Sequence, residues 1–239
     1  MAARRFTLLR HAQSAYNVEH ILNGDPAVPV GLTSAGREQA AAVRRLLAGM
    51  DFDLAICTRF PRTAETLEII LGGRKVPIEV YPELDDVDVG DFEGQPLGTY
   101  RAWRAEHGPD QGPPGGESRI DALRRYVAGY ERMLASGACE VLAVLHDVPI
   151  RFLVNAAHGS DPLGGPHQAI ANATPISFGE DDLRRAVDRM HRRAAAAGAG
   201  QSSPEATGAS PERNPLSSNG EAETSPLGDA PSPPPASVA

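Results

Sequence analysis

The chain is short of several things at once. Of its 239 residues only two are cysteine, one is tryptophan and 5% are aromatic. Cys57 and Cys139 are too few for a disulfide framework, and both sit beside apolar runs that predict burial, so a reducing compartment is expected. Long hydrophobic runs are also missing. Arg4 and Arg5 precede only the short run FTLL, too brief for a signal-peptide core or a membrane span, which predicts a cytoplasmic chain without membrane contact. Positive charge is in deficit: the formal net charge is −8. Residues 194–239 hold five acids and one base and therefore carry −4, leaving −4 on the remainder. A general nucleic-acid binder is excluded on that balance. Paired Cys/His or His-x-x-x-His spacings are absent too, which argues against a metal centre.

What is present reads as one domain and a tail. Residues 194–239 are rich in Ala, Gly, Pro and Ser, with eight prolines and no aromatic residue. Such a segment buries too little apolar surface to offset the entropy of ordering, so a disordered tail with unknown partners is expected. Residues 1–193 alternate predicted strands with helices, the pattern of a mostly parallel sheet covered on both faces. Strands are predicted at Phe6–Leu9, Leu54–Cys57, Ile78–Tyr81, Val141–Leu145 and Ile176–Phe178. Apolar residues at helical spacing predict helices over Thr33–Met50, with Ala40, Val43, Leu46 and Leu47 inward, and over Pro61–Leu71. Further helices are predicted from Ser118 to Leu134, over Ile150–Ala157 and over Asp182–Arg193.

Open parallel sheets bind ligands beyond the carboxyl ends of their strands. There the chain gathers its charge. Arg10 and His11 follow the first strand, Thr58, Arg59 and Arg62 the second, and His146 and Asp147 the fourth. Two histidines and several arginines on one sheet edge, in an acidic chain, mark an anion site. Arginine forks match phosphoryl oxygens two at a time, and neutral imidazole is a nucleophile towards phosphorus.

Placed in order, these motifs resemble those of the histidine phosphatase superfamily, the phosphoglycerate mutase-like group. LLRHAQSAYN is similar to the Arg-His-Gly signature, with Ser14 and Asn17 at the family's spacing. GLTSAGREQA (31–40) resembles Leu-Thr-x-x-Gly-x-x-Gln-Ala, and CTRFPRTAET (57–66) resembles Ser-x-x-x-x-Arg-Ala-x-x-Thr. LDDVDVGDFEG (84–94) is similar to Leu-x-Glu-x-x-x-Gly-x-x-Glu-Gly, GGES (115–118) is a frequent phosphatase element, and VLAVLHDVPIRFLV (141–154) matches the strand bearing the second histidine. The resemblance covers residues 6–178.

That resemblance implies a three-layer α/β/α sandwich of phosphoglycerate mutase-like fold and a ping-pong phosphoryl transfer without metal or organic cofactor. His11 is the implied nucleophile; Arg10, Arg62 and His146 are implied to contact the equatorial oxygens, with Asn17 as an amide donor. The Arg-Ala-x-x-Thr register selects Arg62 and leaves Arg59 as a rim residue. The proton donor falls on Asp86, four residues before Gly90, where the family commonly has Glu. His146-Asp147 also departs from the mutase-like His-Gly and matches the acid phosphatase branch, which makes Asp147 the alternative donor. Ala12 replaces the usual Gly of the signature; a positive φ there would cost about 1 kcal/mol, whereas a need for close approach alone tolerates a methyl group. Local readings stand beside these roles: Ser14 and the Glu117–Ser118 pair suit helix caps, and Tyr100 and Trp103 suit either a substrate entrance or a packing cluster.

The activity implied is a phosphoric monoester hydrolase of the histidine acid type acting on a small phosphorylated metabolite. Between Asp86 and His146 the stretch QPLGTYRAWRAEHGPDQGPPGGES (95–118) has only Arg101 and Arg104 as bases, which favours hydrolysis over a cofactor-dependent phosphoglycerate mutase. The mutase and a non-catalytic phosphate-binding module are the alternatives.

Overall fold

The computed structural model describes residues 4–199. Five strands form one sheet: β1 (Arg5–Arg10), β2 (Leu54–Cys57), β3 (Ile78–Val80), β4 (Glu140–Leu145) and β5 (Ile176–Gly179). Their order is β3-β2-β4-β1-β5, parallel throughout except that β5 runs antiparallel to β1. Seven helices accompany it: α1 (Ala15–Glu19), α2 (Ser34–Leu46), α3 (Pro61–Leu71), α4 (Leu97–Glu106), α5 (Arg119–Ala135), α6 (Asp147–Ala157) and α7 (Glu180–Ala199).

The three layers follow from the period-two burial of the central strands. Phe6 and Leu8 of β1, Leu54 and Ile56 of β2, and Val141, Ala143 and Leu145 of β4 point to one face, where they meet Tyr126 and Tyr130 of α5, Phe152 of α6 and Leu183 and Met190 of α7. Leu9, Ala55, Cys57, Leu142 and Val144 point to the other and meet Ala40 and Val43 of α2 and Leu67 and Ile70 of α3. Both faces of the sheet are therefore apolar and covered, and its carboxyl edge is left for polar chemistry.

All five strands lie within one residue of expectation at each end. The helices differ more. α2 stops at Leu46, short of Met50, and Leu46 itself is 70% exposed, because the inward stripe runs 40, 43, 47 and position 46 falls well off it. α6 begins at Asp147 and not at Ile150, since Pro149 sits in the first turn, where no backbone N–H is needed. α4 was not anticipated and α1 only through its Ser14 cap: α1 buries no residue and α4 buries only Tyr100, so neither carries an apolar stripe to read. The boundary drawn at 193 falls inside α7, which continues to Ala199 with Ala194 buried. The rest of the expected tail, residues 200–239, lies outside the described residues.

Leu8 is fully enclosed in the central strand, whereas Leu46 is exposed. Leu8→Ala is expected to cost about 2–5 kcal/mol in urea unfolding, and Leu46→Ala about 0.5 kcal/mol or less.

Candidate active site

The residue after β1 is held before its side chain does anything. The His11 N–H donates to the Leu145 carbonyl at 2.9 Å, continuing the β1–β4 pairing by one step. Beyond it the loop is pinned from three sides. Ala12 N–H donates to Thr66 Oγ1 at 3.0 Å, Gln13 N–H to Gln39 Oε1 at 2.9 Å, and the Asn172 amide to the His11 carbonyl at 2.7 Å. The N-terminus of α2 comes so close that a Cβ on Gly36 would lie 2.1 Å from the Gln13 carbonyl oxygen, so only glycine fits.

His11 is buried, 2% exposed. Its Nε2 lies 3.1 Å from Arg62 Nε, and since arginine only donates, Nε2 is the acceptor and Nδ1–H donates to the Ala12 carbonyl at 2.8 Å. The ring is thus neutral. Burial, followed by the charges of Arg62 and Arg10, pushes its pKa well below the ordinary imidazole value.

Arg62 stands in the first turn of α3, 3% exposed, after Pro61. Its Nη2 reaches His146 Nδ1 at 3.2 Å, Asp86 Oδ2 at 3.3 Å and the Asn23 carbonyl at 3.1 Å, its Nη1 donates to Asn23 Oδ1, and its guanidinium carbon lies 4.2 Å from the centre of the Phe60 ring. His146 follows β4 and is fully buried; Nδ1 accepts from Arg62, so Nε2–H donates to Thr58 Oγ1 at 2.8 Å. Burial and then Arg62 push its pKa well down as well. The two imidazole rings stand 5.5 Å apart, edge to face.

Asp86 reaches this group from a loop that is itself clamped. Arg125 of α5 donates to the carbonyls of Glu83, Asp85 and Asp86 at 3.0–3.1 Å and pairs with Glu117, which also accepts the Asp88 N–H at 3.0 Å. Gly90, at φ +51°, lets the loop close against residues 114–116, where a Cβ would lie 2.1 Å from the Pro114 carbonyl oxygen. The Asp86 carboxylate is 3.6 Å from His146 Nδ1. Its side chain keeps 24% exposure, directed into a protein-walled cavity, and burial raises its pKa above the ordinary Asp value against the pull of Arg62.

The other expected residues are distributed unevenly. Arg10 donates to the Ile170 carbonyl at 2.8 Å, and its buried Nε has no partner among the described residues. Asn17 lines the same cavity, its Oδ1 accepting from Ser14 N–H and Asn172 at 3.2 Å; Ser14 is the cap of α1, as its local reading suggested. Ser118 likewise caps α5. Arg59 is a rim residue, 56% exposed in its side chain and paired with Asp85. Asp147 opens α6, accepts the Ile170 N–H at 2.6 Å and pairs with Arg151 at 3.4 Å. Tyr100 and Trp103 stack with centres 6.0 Å apart, but only Tyr100 faces the cavity.

Asn23, Thr66, Ile170 and Asn172 were missed. Asn23 is held by Glu93, whose carboxylate accepts from its amide and from the N–H groups of Gly24 and Asp25. The signal available was the Glu of the Gly-x-x-Glu-Gly block; nothing near Asn23 itself announced a role.

His11, Arg10, Asn17, Arg62, Asp86 and Asp147 all line one cavity of about 600 Å³. A second cleft of about 580 Å³ lies on the far side of Asp86 and is acidic, but Asp85, Glu93 and Glu117 there are each already partnered. Among the described residues no group of three or more His, Cys, Asp or Glu is arranged to hold a metal ion. Nor is any helix among them long and apolar enough to cross a membrane.

A neutral buried imidazole flanked by donor-only arginines, at the carboxyl edge of an α/β/α sandwich, defines a phosphoryl-type anion cradle. The chain belongs to the histidine phosphatase superfamily (branch 1), whose family model matches residues 6–192. It is 35% identical over 89 residues to an adenosylcobalamin/alpha-ribazole phosphatase of Escherichia coli (strain K12), a match spanning 37% of this chain and 43% of that one. It is 30% identical over 197 residues to a 2,3-bisphosphoglycerate-dependent phosphoglycerate mutase of Bradyrhizobium sp. (strain ORS 278), spanning 74% of this chain and 92% of that one. Among solved structures it is similar to an alpha-ribazole phosphatase from Shigella flexneri, with TM-score 0.65, 25% identity, and coverage of 72% and 89%. A mycobacterial glucosyl-3-phosphoglycerate phosphatase gives TM-score 0.61, 26% identity, and coverage of 73% and 89%.

The Ala12 departure carries no backbone strain: among the described residues only His20 and Ala173 are non-glycine residues with positive φ. Its methyl group is fully buried in the cluster around Leu9, Leu32 and Ala40. Ala12→Gly is therefore expected to destabilise, by about 1 kcal/mol; a stabilised variant in chemical unfolding would contradict this.

Proposed function

We propose that this chain is a phosphomonoesterase that hydrolyses a small phosphorylated metabolite through a phosphohistidine intermediate on His11. The observation that carries the reading is the unprotonated Nε2 of buried His11, held beside Arg62 in a cavity it shares with Arg10 and Asp86. Phosphatases among its relatives and structural neighbours support the same activity.

The phosphoryl group sits against Arg10, Arg62 and the Asn17 amide, which stabilise charge already present in a loose transition state. His11 Nε2 forms a bond to phosphorus as the ester P–O bond breaks. Asp86, whose proton affinity is raised by burial, gives a proton to the departing alkoxide. His146, kept neutral by burial and then by Arg62, accepts from Arg62 through Nδ1 and holds that guanidinium in place beside the phosphoryl group. Water then attacks phosphorus, the Asp86 carboxylate takes its proton, and phosphate leaves with His11 neutral again. Asp86 is favoured over Asp147 because Asp147 is held by Arg151 and the Ile170 N–H, while Asp86 touches both Arg62 and His146. The catalytic unit is assigned to the domain ending with α7, in a cytoplasmic setting and without nucleic-acid partners.

The mutase reading has one observation in its favour, the match along 92% of a phosphoglycerate mutase. Rapid isomerisation of 3-phosphoglycerate primed with 2,3-bisphosphoglycerate, with little free phosphate, would establish it over hydrolysis.

Phosphate release from aryl and alkyl phosphates tests the phosphatase reading. Asp86→Asn is expected to lower kcat/KM on alkyl esters by about 10²–10⁴. Far less is lost on p-nitrophenyl phosphate, whose leaving group needs no proton, and Asp147→Asn gives no such split. The protonation states invoked are tested through pH. Activity falls as pH drops through the lowered His11 pKa and falls again as pH rises through the raised Asp86 pKa. The alkaline limb should vanish in Asp86→Asn; an unchanged profile with equal loss on both ester types contradicts the assignment.

A further inference from the structure

The cavity that holds His11 carries more positive charge than a phosphomonoester can answer. Six arginines line it, Arg10, Arg62, Arg101, Arg104, Arg119 and Arg151, against two aspartates, Asp86 and Asp147. A bound phosphomonoester dianion facing Arg10 and Arg62 leaves Arg101, Arg104, Arg119 and Arg151 still to be answered in the same cavity.

Three separate elements bring those arginines together. α4 places Arg101 and Arg104 three residues apart on one face. Arg119 is the first residue of α5, fixed by the Ser118 cap, and Arg151 lies on the second turn of α6. Arg151 pairs with Asp147 and donates to the Gln168 carbonyl. Arg104 and Arg119 have no hydrogen-bond acceptor and no carboxylate partner among the described residues, although both are partly buried. Asp161, whose charge reaches Arg119, is already paired with Arg193 at 3.1 Å. Burial and then the neighbouring Arg119, Arg151 and Arg101 lower the proton affinity of Arg104, the signature of like charges crowded without a counter-ion.

Arginines with structural duties in this chain look different. Arg74 donates to the carbonyls of Leu47, Met50, Ile70 and Leu71, and Arg125 clamps the loop that carries Asp86. Arg104 and Arg119 hold nothing. Idle guanidinium groups, partly desolvated and facing a reaction cavity, have the geometry to grip a planar or tetrahedral anion two oxygens at a time.

We infer that Arg104 and Arg119, backed by Arg151, form a second anion subsite, and that the natural substrate is a phosphomonoester whose alcohol portion carries a second compact anion, a carboxylate or another phosphate. This rests on the phosphatase reading above. A substrate with a neutral or apolar leaving group leaves those cations unanswered and is disfavoured.

Binding to the His11→Ala protein, which retains ligand without turnover, is measured by calorimetry with matched pairs. One arm compares 3-phosphoglycerate with glycerol 3-phosphate, the other fructose 1,6-bisphosphate with fructose 6-phosphate. In at least one arm the doubly anionic member is expected to bind about tenfold tighter or more, and the ratio to fall within about twofold when Arg104→Gln and Arg119→Gln are added. The arm that shows the preference identifies the second anion as carboxylate or phosphate. Equal affinity in both arms for the parent protein, which needs no arginine variant to be folded, overturns the inference, as does a preference that survives the double substitution. Hydrolysis of p-nitrophenyl phosphate by the unmodified protein is scored separately. Its absence sinks the phosphatase reading and leaves the binding result to judge the subsite.

Discussion

A buried cation has to be met by acceptors on all sides, and Arg62 imposes that requirement on everything around it. Enclosed to 3% exposure, its guanidinium is answered by His11 Nε2, His146 Nδ1, the Asp86 carboxylate and both oxygens of Asn23. Because arginine has no acceptor, each contact also fixes a protonation state: both histidines present a bare nitrogen to it. The tautomers that leave His11 Nε2 and His146 Nδ1 unprotonated thus follow from one residue in the first turn of α3.

Satisfying Arg62 in turn organises three loops. Asn23 reaches it because Glu93 gathers the amide and N–H groups of residues 23–25, and Asp86 reaches it because Arg125 and Glu117 fasten the loop after β3 to α5. The loop bearing His11 is sealed by α2 at Gly36 and by Asn172 from the segment before β5. Each contact spans distant parts of the chain, so the site is as rigid as the sandwich that supports it. Beside the cavity, Asp85, Glu93 and Glu117 are taken up by arginines and backbone donors, while the cavity itself holds six arginines against two aspartates.

The sandwich was legible in the sequence because β1, β2 and β4 are short apolar runs buried on both faces, and such runs leave little freedom in where they end. The residues immediately after them, His11 and His146, were legible for the same reason, and Arg62 through the register of its motif. The extents of α1 and α4 were not, because a helix that buries one residue or none leaves no periodic trace, and only the Ser14 cap marked where α1 begins. Asn23 and Asn172 were invisible for a different reason: an amide in a loop has no pattern, and its role exists only once loops far apart in sequence are folded together. Ala12 was open in the sequence, since a positive φ would have meant strain whereas a need for close approach alone would tolerate a methyl group; the backbone there has ordinary φ and the methyl group fills the core.

The central claim is that phosphorus becomes bonded to His11. Rapid alkaline quenching of the protein during turnover of p-nitrophenyl phosphate, followed by peptide mapping by mass spectrometry, tests it directly. The account predicts an acid-labile, alkali-stable phosphoryl group on the peptide containing His11, forming and decaying at least as fast as turnover. Steady hydrolysis with no phosphorylated peptide, and inversion of configuration at a chiral phosphorus, would contradict it.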